Sequence, residues 1–582
     1  MHGIFAGIVV AFFGLYSTCS GRDDSLVVDT AAGSVRGRLQ NLIHGLSVKQ
    51  FVGIPYAEPP VGELRFARPL PVKPWNGVKG AVNFGPACPQ IKLKEMFELL
   101  KSNFSVEDGP QDEDCLTLNV YTPSQATSQD KLAVMVWIHG GGYTIGSGSS
   151  YNPSLLVAYH DVIVVTINYR LGVLGFFNVP GTDVKGNYAM HDQILALKWV
   201  QQNIANFGGD PNSVTIFGES AGGMSVSHHL ISPLSKGLFK RVIAQSGSSA
   251  SPYTGARVTS DELVKTFAKV LECDVNNGLM DCLRSKSWSD VLKAQSNVTF
   301  PTNMGDQLLC TVVVDGEFLP DNPRKLLSQG KINQADVMMG MTADEGALWL
   351  LMAPDLYKNG AELKDLKNSI KYGFKKHPGQ NKAIEDATLF EYTDQSDLDN
   401  RIKHRRAIID LGSDNMFFAP AIFEAKALSK ADVPVYLYLF DHLLHYSTFP
   451  DYLGSCHAID MYFSFGIAIN SDGFGDFFKV FSTTFSDLEV GLAHYTMRLW
   501  TTFAKHGDPN VGETTPVVTW PRYNSSAHVH LRISLNPKLE FSFRERKMAF
   551  WNEFVPKLAG GEADQESGDK NTKDNQPAKE EL

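Results

Sequence analysis

The chain has 582 residues, 43% of them hydrophobic, and a formal net charge of −10 at pH 7. Nucleic acid attracts clustered Lys and Arg, so an acidic chain without basic patches is not expected to bind it. The hydrophobic content is enough for a large core, and no linker interrupts the sequence before Gly560. One large domain is therefore predicted, although the length exceeds that of most single domains.

The N-terminus carries an apolar run over residues 4–16, which is too short to span a bilayer. Four small residues follow at positions 17–20, so residues 1–20 are predicted to be a cleaved signal peptide. No Lys or Arg precedes the apolar run, and an uncleaved anchor is therefore the alternative. No other stretch is predicted to cross a membrane.

The first element with a chemical signature is the apolar run Leu132–Ile138, which is typical of a buried strand. It leads into His139-Gly140-Gly141-Gly142, the glycine pattern of lipase and esterase oxyanion loops. Backbone N–H groups can approach an oxyanion closely only where no Cβ intervenes, which explains the glycines. A flexible turn between two strands is the alternative interpretation.

An amphipathic helix and a nucleophile elbow are predicted next. The apolar positions recur at helical spacing: Met190, Ile194, Leu197, Val200 and Ile204. A short apolar run then enters residues 218–222, Gly-Glu-Ser-Ala-Gly, the pattern of an elbow that presents Ser220 between a strand and a helix. This pattern is weak by itself and gains weight from the glycine loop upstream.

A serine hydroxyl needs a base that accepts its proton and an acid that orients the base. In α/β-hydrolases the chain order is serine, acid, histidine. The predicted strand Val337–Met341 leads into two adjacent carboxylates, Asp344 and Glu345, and His457 follows within residues 454–460. The order fits, and either carboxylate could be the acid.

These motifs resemble the type B carboxylesterase family, which also includes cholinesterases, bile-salt-activated lipases and catalytically inactive neuroligin-type adhesion domains. Residues 113–121 and 207–211 match the family's pattern without a break, and the resemblance extends over residues 29–558. It implies an α/β-hydrolase fold: an α/β architecture whose large, mostly parallel central sheet is flanked by helices. A single catalytic domain over residues 25–558 is expected.

The resemblance also implies the site. The implied triad is Ser220, Glu345 and His457. The implied oxyanion donors are the N–H groups of Gly141, Gly142 and Ala221. Asp344 is the rival acid, and His139 is a rival base whose place beside the glycines suits a structural hydrogen bond. Ser246 matches a position that supports the triad in the family, although a plain strand-end serine is an equal alternative.

Two-step acyl transfer on small-molecule esters is the implied chemistry, and neither a cofactor nor a metal ion is expected. A serine carboxylesterase of broad specificity is the leading interpretation. A lipase or sterol esterase is one alternative. A non-catalytic adhesion or binding module on the same fold is the other, although the adhesion branch typically lacks the serine and adds a membrane anchor.

The resemblance argues against a choline ester specialist. Cholinesterases of this family hold a quaternary ammonium over a tryptophan between their first two cysteines. Here residues 88–115 contain Phe97 and Phe104 but no tryptophan, and Met548 stands where the third cholinesterase bridge ends. The stretch that lines the acyl pocket, residues 307–310, is aliphatic, which suggests room for varied acyl chains.

Cysteine use fits the secretory route. One cysteine leaves with the predicted signal peptide, and the remaining six of seven allow fifteen pairings. The resemblance implies two local disulfides, Cys88–Cys115 and Cys273–Cys282. Cys310 and Cys456 would then be buried free thiols.

Three sequons are predicted glycosylation sites: Asn103, Asn297 and Asn524. Residues 560–582 are polar and acidic and are predicted to form a disordered tail. The last four residues, Lys-Glu-Glu-Leu, resemble the K-D-E-L retrieval signal. We therefore expect the endoplasmic reticulum lumen and a retrieval receptor as a partner, with secretion as the alternative.

Overall fold

A computed structural model describes residues 26–91, 109–179, 181–252, 261–299, 311–351, 358–374, 382–447, 450–472, 474, 484–512 and 517–560. The predicted signal peptide, the sequon at Asn103, the acyl-pocket stretch 307–310 with Cys310, and the tail from residue 561 lie outside the described residues.

The strands run as follows: β1 Val27–Thr30, β2 Gly33–Arg36, β3 Arg38–Asn41, β4 Ser47–Pro55, β5 Val78–Gly80, β6 Thr117–Pro123, β7 Leu132–Ile138, β8 Ile163–Ile167, β9 Gly209–Glu219, β10 Arg241–Gln245, β11 Asp336–Thr342, β12 Val435–Phe440, β13 His530–Ile533 and β14 Lys538–Glu540. Among the described residues, eleven strands form the central sheet in the order β14-β13-β12-β11-β10-β9-β7-β8-β6-β4-β3. In sheet order, the seven strands β8, β7, β9, β10, β11, β12 and β13 are parallel to one another. The strand pairs at both margins of the sheet are antiparallel. Strands β1, β2 and β5 form a separate small sheet.

The α-helices run as follows: α1 Ser154–His160, α2 Gly172–Phe176, α3 Tyr188–Asn203, α4 Ala221–Ile231, α5 Asp261–Val270, α6 Leu279–Ser285, α7 Trp288–Thr299, α8 Pro323–Ser328, α9 Ala347–Leu351, α10 Leu363–Phe374, α11 Lys382–Tyr392, α12 Arg401–Ser413, α13 Ala419–Lys430, α14 Met461–Ser464, α15 Asp487–His506, α16 Glu545–Ala549 and α17 Val555–Leu558. Two π-helical turns, Asp414–Phe418 and Phe550–Phe554, follow α12 and α16.

The parallel strands are buried on both faces. Every residue of β8 and β10 is buried, and β7 is buried after its first residue. Helices α4 and α15 pack against the central strands β7 and β9. Continuous apolar strands of this kind are expected where helices cover both faces of a parallel sheet. The α/β-hydrolase architecture predicted from the sequence is therefore confirmed.

The predicted elements that position the site are present. Strand β7 has the predicted bounds, and β11 extends the predicted strand by one residue at each end. Helix α3 buries the predicted apolar face, but it also buries Asp192, which pairs with Arg170 at 2.7 Å. A charged group is rarely buried without such a pair. The amphipathic pattern predicts one buried face, whereas more of the helix surface is buried than that pattern indicates.

The disulfides Cys88–Cys115 and Cys273–Cys282 are both present, with Cα–Cα distances of 5.0 and 5.7 Å. Cys456 is a buried free thiol, as predicted. The side chains of Asn297 and Asn524 are exposed, which leaves the predicted glycosylation sites accessible. No helix in the described part of the chain is long and apolar enough to cross a membrane.

Candidate active site

Ser220 stands at the sharp turn between β9 and α4. Its backbone has φ 57° and ψ −122°, an uncommon conformation for a residue with a side chain. The turn is held by two hydrogen bonds: the Ser220 N–H donates to Gln245 O at 2.9 Å, and Ser220 O accepts from the Met224 N–H at 2.8 Å. Strain of this kind persists only where surrounding structure enforces it, and it is the geometry of a nucleophile elbow.

The two glycines of the elbow allow it to pack against the end of β7. A Cβ on Gly218 would lie 2.6 Å from Ile138 O, and a Cβ on Gly222 would lie 1.9 Å from the same oxygen. Neither distance is sterically allowed. The glycines therefore let the elbow touch the strand that leads into the glycine loop.

The glycine loop lies directly beside the nucleophile. A Cβ on Gly140 would come within 3.1 Å of the Ser220 Cβ and 2.6 Å of Glu219 O. Gly141 and Gly142 have φ values of 98° and 61°, which few other residues adopt. The loop is thus a tight turn against the elbow.

The predicted oxyanion donors belong to the glycine loop and to the first residue of α4. Gly141 O accepts from Thr144 N–H at 3.0 Å and Ile145 N–H at 3.1 Å, which closes the turn on its carbonyl side. Within the described residues, the N–H groups of Gly141 and Gly142 donate to no protein acceptor. Ala221 is the first residue of α4, where a helix leaves its N–H groups unpaired.

His139 supports the glycine loop. Its Nδ1–H donates to Gly140 O at 2.9 Å, and its ring stacks on Tyr169 with centroids 4.3 Å apart. Burial lowers the pKa of His139 to about 4. A neutral ring whose Nδ1 is committed to a backbone oxygen fits the structural role considered from the sequence.

Glu345 and His457 meet. Glu345 Oε2 lies 2.5 Å from His457 Nδ1, and the glutamate side chain is fully buried. The second oxygen, Oε1, accepts from Ser246 Oγ at 2.5 Å and from the Thr342 N–H at 2.8 Å. Glu345, and not the rival Asp344, is therefore the carboxylate in contact with His457, and Ser246 donates to it directly.

The other nitrogen of His457 faces Glu219. Nε2 lies 3.0 Å from Glu219 Oε1, although this oxygen has no hydrogen bond of good geometry within the described residues. The Ser220 hydroxyl, in turn, makes no hydrogen bond to a described residue. Glu345 and His457 are therefore in contact, and His457 lies beside the elbow through Glu219. Ser220 and His457 are not hydrogen-bonded to each other. Such contacts are often loose in a free enzyme and tighten when substrate binds.

The charges around the imidazole favour its protonated form. Burial alone would lower the pKa of His457, but the carboxylates of Glu219 and Glu345 outweigh it and raise the pKa. Burial raises the pKa of Glu219 as well, and it raises the pKa of Asp460 to about 6. Asp460 Oδ2 accepts from Gln245 Nε2 at 3.0 Å and from the Tyr438 hydroxyl at 2.9 Å.

Sequence reasoning missed three neighbours of His457. Glu219 lies inside the elbow motif, and Asp460 lies three residues after the histidine. Both residues belong to motifs that the sequence shows, but nothing in the sequence indicates that they lie near the imidazole. Phe417 packs its ring 4.9 Å from the imidazole and belongs to the π-helical turn Asp414–Phe418. No sequence signal marks that turn, although π-helical turns are frequent at functional sites. Among the described residues, no cluster of His, Cys, Asp or Glu side chains is arranged to hold a metal ion.

A family model described as the carboxylesterase family matches residues 24–551. The chain belongs to the carboxylesterase family.

Three similar relatives support this assignment. Acetylcholinesterase of Bungarus fasciatus is 36% identical over 551 residues, covering 92% of this chain and 88% of the relative. Neuroligin-2 of Mus musculus is 34% identical over 590 residues, covering 91% and 68%. The precursor of the medium-chain fatty acyl-CoA hydrolase of Anas platyrhynchos is 36% identical over 552 residues, covering 91% and 92%.

Family membership confirms the resemblance inferred from the sequence and supports the hydrolysis of carboxylic esters by this carboxylesterase-family protein. The similarity to neuroligin-2 keeps the binding-module alternative as a hypothesis to be tested.

Proposed function

We propose that this protein is a serine carboxylesterase of broad specificity that cleaves small-molecule esters through an acyl-enzyme intermediate. The observation that carries the proposal is the buried Glu345–His457 pair, 2.5 Å apart, seated at the elbow that presents Ser220. A buried carboxylate bound to one imidazole nitrogen fixes the tautomer, which leaves the other nitrogen free to accept a proton.

In the first half-reaction, His457 Nε2 takes the hydroxyl proton of Ser220 as its oxygen attacks the ester carbonyl. The N–H groups of Gly141, Gly142 and Ala221 hold the resulting oxyanion. The proton then passes from His457 to the alcohol, which leaves. These steps require the Ser220 hydroxyl to displace Glu219 from Nε2 when substrate binds.

In the second half-reaction, His457 activates a water molecule that attacks the acyl-enzyme. The acid product leaves, and the proton returns to Ser220. Glu345 stays ionised throughout and stabilises the imidazolium. The neighbouring carboxylates, which raise the pKa of His457, act in the same direction.

A module that only binds a partner has no need for a buried acid–base pair beside a strained serine. This chain keeps Ser220, Glu345 and His457, and the last two are in contact. The buried Glu345–His457 contact therefore favours the catalytic proposal, because the binding-module alternative does not explain it.

We also infer that the protein resides in the endoplasmic reticulum lumen. The two disulfides suit an oxidising compartment, and the C-terminal Lys-Glu-Glu-Leu would be read by a retrieval receptor. Deleting these four residues should move the protein from cells into the medium. Unchanged retention would argue against retrieval, and a wild-type protein found in the medium would favour secretion.

The function is tested by hydrolysis of p-nitrophenyl esters from acetate to palmitate, with Ser220→Ala as the control. A medium-chain acyl-CoA thioester is added because one relative is named as a hydrolase of such compounds. An optimum at short or medium chains that is lost in Ser220→Ala supports the carboxylesterase. A long-chain optimum favours the lipase, and the absence of serine-dependent hydrolysis favours the binding module.

A further inference from the structure

Asp344, the carboxylate that does not orient His457, makes contacts that the proposed mechanism does not use. It follows β11 directly before Glu345, and its side chain is 13% exposed. Its N–H donates to Ser455 O at 3.0 Å, and its Oδ2 accepts from the Ser455 N–H at 3.0 Å. These two bonds join the loop of Glu345 to the loop of His457, two residues before the imidazole.

Gly454 allows the carboxylate to sit on the backbone of this loop. Its φ is 61°, and a Cβ there would lie 1.9 Å from Asp344 Oδ2. The carboxylate thus occupies the space that any other side chain would need. Ser455 Oγ also donates to Phe440 O at 3.0 Å, at the end of β12. The start of the His457 loop is therefore held from two neighbouring strands.

The second oxygen of Asp344 is held by Arg406 of α12. Arg406 Nη1 donates to Asp344 Oδ1 at 2.5 Å, and its Nη2 donates to Asp410 Oδ1 at 2.6 Å. Burial raises the pKa of Asp344, and the charge of Arg406 opposes this rise. The two carboxylate oxygens of Asp344 thus have different partners: Oδ2 binds the His457 loop, and Oδ1 binds Arg406.

We propose that Asp344 is a positioning residue: together with Arg406 it clamps the His457 loop to the Glu345 loop and so sets where the imidazole stands. The inference rests on the proposed function, because it takes His457 to be the base. The adjacent carboxylates have separate tasks, since Glu345 holds the ring and Asp344 holds the backbone that carries it. A displacement of about 1 Å at a reacting group can lower the rate by about 10²-fold. Loss of the clamp should therefore lower the rate of hydrolysis if it lets His457 move.

Four variants separate the clamp from general stability. Asp344→Asn keeps the side-chain size but turns one acceptor oxygen into a donor, so it cannot serve both Ser455 and Arg406. Arg406→Gln removes the cation, and Arg406→Lys restores it. Asp410→Asn is the matched control, because it neutralises the other carboxylate that Arg406 contacts without touching the His457 loop.

Steady-state hydrolysis of p-nitrophenyl butyrate and amide hydrogen exchange over residues 454–460 are measured for all four. The clamp predicts that Asp344→Asn lowers kcat by about 10- to 100-fold with KM nearly unchanged. Arg406→Gln should have a smaller effect that Arg406→Lys largely reverses. Exchange over the loop should rise in Asp344→Asn and Arg406→Gln but not in Asp410→Asn.

Wild-type kcat and unchanged loop exchange in Asp344→Asn would overturn the proposal, as would an equal loss in Asp410→Asn. Failure of the proposed function looks different: the wild-type protein would show no hydrolysis that depends on Ser220. The positioning role would then fall with it, while loop exchange would still report whether the two loops are clamped.

Discussion

The two halves of the candidate site are held in place by different means. The nucleophile half, from the glycine loop to the elbow, is positioned by backbone packing: a Cβ on Gly218 or Gly222 would overlap Ile138 O, and a Cβ on Gly140 would crowd Ser220. The acid–base half is positioned by side chains, because Glu345 joins Ser246, the β11 backbone and His457. Close backbone packing requires glycine at fixed positions, whereas a side-chain network links residues far apart in the chain.

This difference explains why one half has a motif and the other does not. Steric demands on neighbouring residues leave a local pattern of glycines. A hydrogen bond between residues 112 positions apart, such as that of Glu345 and His457, leaves no local pattern. The two halves should therefore also fail differently when they are changed.

The largest effect is expected in the acid–base half. In Glu345→Gln the amide can donate to His457 Nδ1 and favour the wrong tautomer, so kcat should fall by about 10⁴-fold. Hydrolysis of p-nitrophenyl butyrate measures this loss. The unfolding temperature should change little, because the substitution keeps the volume of the side chain.

Glu424→Gln is the matched control. Glu424 is a buried carboxylate of α13 that accepts from Ser227 Oγ at 2.6 Å and also from Ser248 Oγ, and it does not contact His457. It should retain most of the activity. Equal losses in the two variants would mean that any buried charge change disables the protein and that the triad assignment of Glu345 is wrong.

A smaller loss is expected in the nucleophile half. In Gly140→Ala the new methyl group would overlap Glu219 O and crowd Ser220, so the glycine loop must shift and displace the Gly141 N–H. Loss of one oxyanion donor typically costs about 10²- to 10³-fold in kcat, and we expect that range. Steady-state kinetics with the same ester provide the test.

Gly491→Ala is the control for the added methyl group, since a Cβ there would meet nothing within 4 Å. It lies in α15 and should leave kcat unchanged. If Gly140→Ala were as active as this control, the glycine loop would not serve as the oxyanion site.

The smallest effect concerns Glu219, which belongs to the elbow but contacts the base. His457 must be neutral to accept the Ser220 proton, so activity falls as pH drops through its pKa. The Glu219 carboxylate helps to raise that pKa. In Glu219→Gln the acid limb of kcat/KM should therefore move to lower pH by about one unit.

Because the surrounding carboxylates raise the pKa of His457 to about 9, a pH profile across roughly pH 6 to 10.5 measures this shift. Glu553→Gln, at an exposed position near the C-terminus of the described chain, is the control and should leave the limb in place. A limb that stays unchanged or moves to higher pH in Glu219→Gln would mean that Glu219 does not act on His457.

Much of the molecule could be predicted from the sequence. Strand β7, the glycine loop and the elbow stand where local patterns place them, and the family resemblance supplied the sheet, the disulfides, Glu345 and His457. The contacts of Glu219, Asp344 and Phe417 could not be predicted, because each depends on how separate loops meet. The burial of Asp192 in α3 was missed for the same reason: its partner Arg170 is 22 residues away.

The most direct test of the account is covalent labelling of the full chain with an organophosphonate ester, followed by mass spectrometry of its peptides. We predict one adduct per chain, on Ser220, that forms slowly in Glu345→Gln and is absent in Ser220→Ala. A folded protein that takes no label, or that takes it on another residue such as Ser246, would contradict the claim that the two halves converge on Ser220.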